Sequence, residues 1–191
     1  MVLPRKIGRT INSINIIIDK SIASLLSEGV VSVLNYGNRI TGFVTSVFVV
    51  SITTALFPQL SRLSAASDTR QLKHTYRSSC GIIGLFVIPI SAGMMMFSEE
   101  FVQLLFFRGE FTEFDVQRTG EVVFFYSLGL LFYSIKEVTI NVYYALQDTK
   151  TPTINSLLAI VLNIVINLLL MRTMEHKGLA LATALSSFIT T

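Results

Sequence analysis

A single cysteine, Cys80, leaves no partner for an intrachain disulfide, and its place in an apolar run makes it a small packed hydrophobe. Only two histidines occur, His74 and His176, in connections predicted to lie on opposite sides of a membrane, which excludes a metal site shared between them. The chain has no His-Glu-x-x-His helix, no Gly-x-Ser-x-Gly elbow, no Walker-type phosphate loop and no Cys-x-x-Cys pair. Neither an enzyme nor a resident organic cofactor is expected. Charged residues are scarce, 14% of the chain, and the net charge is only +3, with lysines and arginines not interleaved among stacking aromatics. Nucleic acid is therefore excluded as a partner. A secretory leader is not recognisable either, because the first apolar stretch runs into Asp19 and Lys20 without a small-residue cleavage site.

What is abundant is uncharged length. Half of the residues are hydrophobic and the mean hydropathy is +0.63, values of a polytopic membrane protein rather than a soluble domain. From position 40 to 61 no residue is charged. A helix of that length is about 33 Å long, enough to cross a hydrocarbon core of about 30 Å. Arg39 sits at the head of this run, and helical spacing gathers Asn35, Arg39, Gly42, Ser46 and Thr53 on one narrow polar stripe. An arginine at mid-bilayer costs about 2.5–3.5 kcal/mol on insertion scales, so Arg39 is expected to face protein, trapped water or a nearby interface.

Six spans are predicted, at about 10–27, 30–58, 78–98, 121–146, 151–171 and from 178 onward. The second is longer than a bilayer requires, and Gly37 and Gly42 are the expected places for a bend. Between the second and third spans, residues 62–78 hold Arg62, Arg70, Lys73, Arg77 and His74 against a lone Asp68, which places this connection in the cytoplasm. Residues 99–118 are acidic, with Glu99, Glu100, Glu110, Glu113 and Asp115 against Arg108 and Arg118, and lie outside by alternation.

Three spans carry groups that need an explanation. Asp19 in the first must be protonated, paired or cation-bound, since an isolated carboxylate is not held ionised in hydrocarbon. Lys136 and Glu137 are consecutive in the fourth and so do not face each other. Lys136 shares a face with Gly129, Tyr133, Ile140 and Tyr143, pointing toward a cavity. Asn163 and Asn167 are one turn apart in the fifth, a spacing that either joins helices or offers carbonyl oxygens to an ion. Sodium, a hard cation, takes oxygen ligands of the kind that these side chains supply.

Five stretches carry a resemblance: 34–39 (Leu-Asn-Tyr-Gly-Asn-Arg), 56–62 (Leu-Phe-Pro-Gln-Leu-Ser-Arg), 105–112 (Leu-Phe-Phe-Arg-Gly-Glu-Phe-Thr), 144–152 (Tyr-Ala-Leu-Gln-Asp-Thr-Lys-Thr-Pro) and 178–183 (Gly-Leu-Ala-Leu-Ala-Thr). In this order and spacing they resemble the second lobe of the MurJ/MviN lipid II flippase family, within the multidrug/oligosaccharidyl-lipid/polysaccharide exporter superfamily. The resemblance implies an all-α polytopic membrane protein in which 1–191 forms one six-helix lobe of a two-lobe transporter, its last helix cut short. The chain would be a fragment, the seventh to twelfth of fourteen helices, lacking an N-terminal lobe.

The implied activity is movement of an undecaprenyl-linked peptidoglycan precursor across the bacterial inner membrane by alternating access, without covalent chemistry. Arg39 matches the cavity arginine that meets the substrate pyrophosphate, with Asn35 and Lys136 as further substrate-binding candidates. Asp19, Asn163, Asn167, Leu179 and Thr183 match positions that form a sodium site in some members. Two departures stand out: Gly37-Asn38-Arg39 replaces a common Ala-Asp-Arg, and Asn167 is neutral where the family has aspartate in places. A polysaccharide or multidrug exporter of the same superfamily is the nearest alternative, and a non-transporting membrane scaffold is the alternative of another class.

Overall fold

The computed structural model describes residues 17–18, 21–24, 26 and 29–191, and every regular element among them is helical. Asp19 and most of the predicted first span lie outside the described residues. We number the helices α1 (Val30–Val44), α2 (Ser51–Ala65), α3 (Thr69–Met96), α4 (Ser98–Phe106), α5 (Glu113–Ala145) and α6 (Lys150–Ile189). A π-helical segment, Thr45–Val50, joins α1 to α2, so that Val30–Ala65 is one rod of 36 residues.

The ends of these helices follow from local chemistry. Gly29 enters α1 at φ 84°, a left-handed conformation that glycine adopts without strain. At the turn after α2, Ser67 is left-handed and the Asp68 carboxylate accepts from the Gln71 amide, capping α3. The predicted basic connection is therefore mostly helix, with only 66–68 left between α2 and α3. Within the acidic connection lies α4, followed by a left-handed Gly109 and a reciprocal cap of α5: the Asp115 amide donates to the Thr112 hydroxyl, and the Thr112 amide donates to the Asp115 carboxylate. Asp148 starts α6 by accepting from the Lys150 and Thr151 amides and the Thr151 hydroxyl. That hydroxyl first, then the amides, holds its carboxyl below the usual range.

The 40 residues of α6 are a hairpin. Glu175 breaks the helix at φ 46°, ψ −124°, and the arms 150–174 and 176–189 run antiparallel. The pairing of Asn155 with the Thr190 carbonyl (2.7 Å), Asn163 with Thr183 (3.3 Å), and the Gly178 backbone packed on Leu170 fixes this register. The turn falls within the 172–177 stretch predicted to connect the fifth and sixth spans.

Helix α5 is the axis of the bundle, touching every other helix and the π segment. One apolar core forms where Ile83, Val87, Val102, Val123, Leu130 and Val138 meet Ile40 and Val49. A second forms around Val30, Val33, Leu34, Val122, Leu179 and Ala180. The outer surface is as apolar as these cores: Phe43, Leu85, Leu104 and Leu169 are each 70% exposed or more. Water would not tolerate so much continuous apolar surface, and lipid does. Four helices among the described residues, Val30–Ala65, Thr69–Met96, Glu113–Ala145 and Lys150–Ile189, are long and apolar enough to cross a membrane, the last doing so as a hairpin.

Both glycines expected to mark a bend, Gly37 and Gly42, lie inside α1, and the irregularity of the rod is the π segment that follows. Gly37 instead allows close packing on Val122, while Gly42 is open. An i→i+5 turn inserts about one extra residue into the helical phase. Thr53, expected on the polar stripe, is consequently rotated into the bundle, buried and bonded to the Val49 carbonyl at 2.8 Å.

Candidate functional site

Two adjoining features form the site: a half-open cavity bordered by α1, the π segment, α5 and the second arm of α6, and an amide cluster sealed between the two arms. The cavity has a volume of ≈370 Å³, and among the described residues no charged side chain lines it. Asn38, Thr41, Thr45 and Ser46 come from one side, Tyr126, Gly129 and Tyr133 from α5, and Thr183 and Ser187 from the hairpin. Gly129 makes the close approach of α5 possible here, since a Cβ at this position would stand 2.7 Å from the Ala184 Cα.

Most wall hydroxyls are already committed as donors. Thr41 donates to the Gly37 carbonyl (3.1 Å), Thr45 to Thr41 (2.9 Å), Thr183 to Leu179 (3.1 Å) and Ser187 to Thr183 (2.9 Å). A hydroxyl has one hydrogen and two lone pairs, so these four present lone pairs for any further partner. Asn38 donates to the Tyr126 hydroxyl at 3.4 Å, spanning from α1 to α5 at the cavity rim.

The structure brings together all four described members of the predicted sodium set. Asn167 Nδ2 donates to Asn163 Oδ1 at 2.9 Å, Asn163 Nδ2 donates to Thr183 Oγ1 at 3.3 Å, and Thr183 Oγ1 donates to the Leu179 carbonyl. Asn163 and Asn167 are 1% and 0% exposed, so this is a desolvated chain of neutral oxygens and amides. By donor type it fits a hard cation, and by connectivity it also serves as a helix-joining network. Asp19, the only carboxylate of the set, lies outside the described residues.

The predicted substrate residues are placed differently. Arg39 is exposed, its guanidinium 5.6 Å from the Tyr36 ring centroid, with Asn35 half-buried one turn earlier. Lys136 is half-buried between helices, its Nζ donating to Thr190 Oγ1 at 2.9 Å. None of the three lines the cavity. Arg39 sits at the level of Val122 and Tyr126, so Lys136 is about 15 Å farther along α5 at 1.5 Å per residue, and the two do not meet. Gly129 and Tyr133, placed by spacing on a cavity-facing side of their helix, do line the cavity, whereas Thr41, Thr45, Tyr126 and Ser187 are lining residues that helical spacing and charge did not single out. Their signal was present as hydroxyl pairs one turn apart, 41 with 45 and 183 with 187.

At the hairpin tip, Glu121 of α5 holds both His176 and Lys177 at 2.7 Å, pinning the turn to the start of the axial helix.

Comparison with known proteins follows the same outline. The family model for lipid II flippase MurJ matches residues 1–191. The chain is 33% identical over 189 residues to the probable lipid II flippase MurJ of Vibrio cholerae, covering 99% of this chain and 36% of that protein. It is 30% identical over 185 residues to the corresponding protein of Rickettsia prowazekii, again 36% of that protein. Among solved structures, a lipid II flippase MurJ in an inward closed conformation superposes with a TM-score of 0.87 at 27% identity, over 96% of this chain and 39% of that one. An outward-facing multidrug resistance MATE family transporter of the MOP superfamily superposes at 0.83 with 17% identity, over 98% of this chain and 41% of that one, a likeness of fold alone.

Proposed function

The chain belongs to the lipid II flippase MurJ family, and we propose on that basis that it acts as one lobe of a flippase moving an undecaprenyl-linked peptidoglycan precursor across the bacterial inner membrane. The observation that supports this reading is the family match over all 191 residues, combined with the superposition on a MurJ structure at a TM-score of 0.87. The chain spans 36% of the length of these two curated relatives. Transport by alternating access accordingly requires a second lobe, so that a cavity between lobes opens to each side in turn.

In this reading Arg39 anchors the pyrophosphate. It is an exposed guanidinium on a rigid helix, and a planar fork of donors matches phosphate oxygens two at a time, which an ammonium does not. Asn35, one turn away on the same face, is placed to add a polar contact. Lys136 contributes at a distance by tying α5 to the end of the hairpin through Thr190. The amide cluster is the cation site of the transport cycle, with the oxygens of Asn163, Asn167 and Thr183 and the Leu179 carbonyl as candidate ligands, joined in the expected set by Asp19. Sodium would supply there the positive charge that an ionised carboxylate in an apolar span requires.

The test is growth of cells depleted of their own flippase, carrying the protein with both lobes or this chain alone. The two-lobe protein should restore growth and the single chain should not. Arg39→Ala should abolish rescue and Arg39→Lys should leave little of it. Full activity of both Arg39 variants at normal membrane abundance would refute the pyrophosphate role.

A further inference from the structure

The amide cluster is sealed, and Thr183 is its one described member that also lines the cavity. Its Oγ1 accepts from Asn163 on one side and has its hydrogen committed to Leu179, leaving its other lone pair for the cavity. On the facing wall, Thr41 and Thr45 are likewise committed donors, as is Ser187 one turn beyond Thr183. The chemical character of this space follows. It is uncharged, it offers oxygen lone pairs from two sides, and most of its hydroxyls have no hydrogen left to give. Anions need donors and find few, whereas a cation or its hydration water needs acceptors and finds several. At roughly 30 Å³ per water, the space is large enough for an ion with its inner hydration shell.

We propose that this cavity is the loading vestibule through which a hydrated monovalent cation reaches the Asn163–Thr183 cluster, with Thr183 as the exchange point between them. The inference rests on the cation-binding part of the proposed function and adds its route. A hydrated ion enters past Asn38, is met by the Thr41, Thr45 and Ser187 oxygens, and exchanges water for protein ligands at Thr183. The π segment contributes Thr45 and Ser46 to the wall, where they continue the α1 face of Thr41 and Gly42, and its extra residue turns Thr53 away beyond them.

Gly42 supplies a clean test. A Cβ there would meet nothing within 4 Å, so the side chain of Gly42→Leu starts in open space at the cavity wall. Thr45→Val with Ser187→Ala is the second variant, preserving shape while removing lone pairs. Two readouts are taken on the purified protein: the rise in melting temperature in sodium relative to potassium, which reports occupancy of the cluster, and the relaxation rate of tyrosine fluorescence on mixing with sodium, which reports access. This chain has six tyrosines and no tryptophan, and Tyr126 and Tyr133 line the cavity.

Both variants should keep the sodium-dependent melting shift and slow the fluorescence relaxation at least tenfold, while Asn163→Ala loses the melting shift altogether. Absence of a sodium-dependent shift in the unmodified protein would overturn the cation reading and the vestibule with it. A normal shift that is lost in Asn163→Ala, together with wild-type relaxation rates in both vestibule variants, would overturn the vestibule alone.

Discussion

Gly37 and Val122 offer a direct measure of how closely α1 is packed on α5. A methyl added at Gly37 would lie 2.5 Å from Val122 Cγ1 and 3.4 Å from its Cβ, against a comfortable separation of about 3.5–4.0 Å. Val122 is fully buried among Val30, Val33 and Leu34, and a helical valine has one strongly preferred rotamer, so its methyl cannot swing away freely. Overpacking of this kind costs about 1–3 kcal/mol. Replacing glycine by alanine inside a helix returns about 1 kcal/mol. Gly37→Ala should therefore destabilise by about 1 kcal/mol. Val122→Ala alone, which removes two buried methyl groups and leaves a void, should cost about 2 kcal/mol. In the double variant the new methyl occupies the space vacated by Cγ1, and the pair should be markedly more stable than additivity allows, with a coupling of about 2 kcal/mol. Gly129 is the control. There the nearest obstacle is the Ala184 Cα at 2.7 Å, a backbone atom that Ala184→Gly leaves in place. Gly129→Ala should not be rescued by Ala184→Gly. Thermal unfolding of the purified variants reads the contrast at about 2–4 °C per kcal/mol for a domain of this size. Additive losses at 37 and 122, or full rescue at 129 and 184, would show that these interhelical distances are wrong.

Glu121→Gln keeps the shape of the hairpin-tip contact and removes its charge. It should cost about 1–2 kcal/mol, discounted because Lys177 is partly exposed, and it should accelerate amide hydrogen exchange at 172–180 without affecting α1. Unchanged exchange at the tip would mean that the turn is held by the Gly178–Leu170 packing alone. Thr112→Ala removes half of the reciprocal cap of α5 and should lower stability by about 1 kcal/mol, read as earlier melting with increased exchange confined to the first turn of α5. Melting that matches the unmodified protein would place the start of α5 under tertiary control.

The second, third and fifth spans were legible because each rests on one strong signal, an uncharged run long enough to cross a bilayer, whereas α5 carries Lys136 and Glu137 within its span and the nine-residue α4 has no such run and was read as part of a connection. The run from 151 to 171 and the restart at 178 mark out the arms of the α6 hairpin by residue order alone, and the break at Glu175 falls between them. The register change in the long rod was not legible. Glycines at 37 and 42 are the residues that sequence reasoning assigns to a kink, yet Gly37 is occupied by interhelical packing and the register change occurs at Thr45–Val50. A π segment is selected by contacts on both sides of a helix rather than by a residue type, so nothing in Thr-Ser-Val-Phe-Val-Val announces it. Its consequence is concrete. Helical periodicity carried through it puts Thr53 beside Ser46, and the extra residue separates them.

The amide cluster and the cavity differ in what they demand of a sequence. Asn163, Asn167, Leu179 and Thr183 are identifiable because amides inside an apolar span are costly unless they meet, and the hairpin is the simplest way for the arms that carry them to do so. The cavity depends instead on where each hydroxyl hydrogen points. Thr41, Thr45, Thr183 and Ser187 are ordinary residues for a membrane helix, and back-bonding to a carbonyl one turn earlier is their ordinary habit. On a lipid-facing surface that bond merely hides a polar group. On surfaces turned toward a common space, the same bond leaves acceptor oxygens facing inward with few donors to satisfy them. Asn38 stands at the rim, its amide giving one of its two hydrogens to the Tyr126 hydroxyl. With a neutral residue at position 38, no fixed negative charge among the described residues lines the cavity. Whatever enters is held by neutral groups alone, a condition suited to weak, rapidly exchanging binding rather than to a permanent ion site.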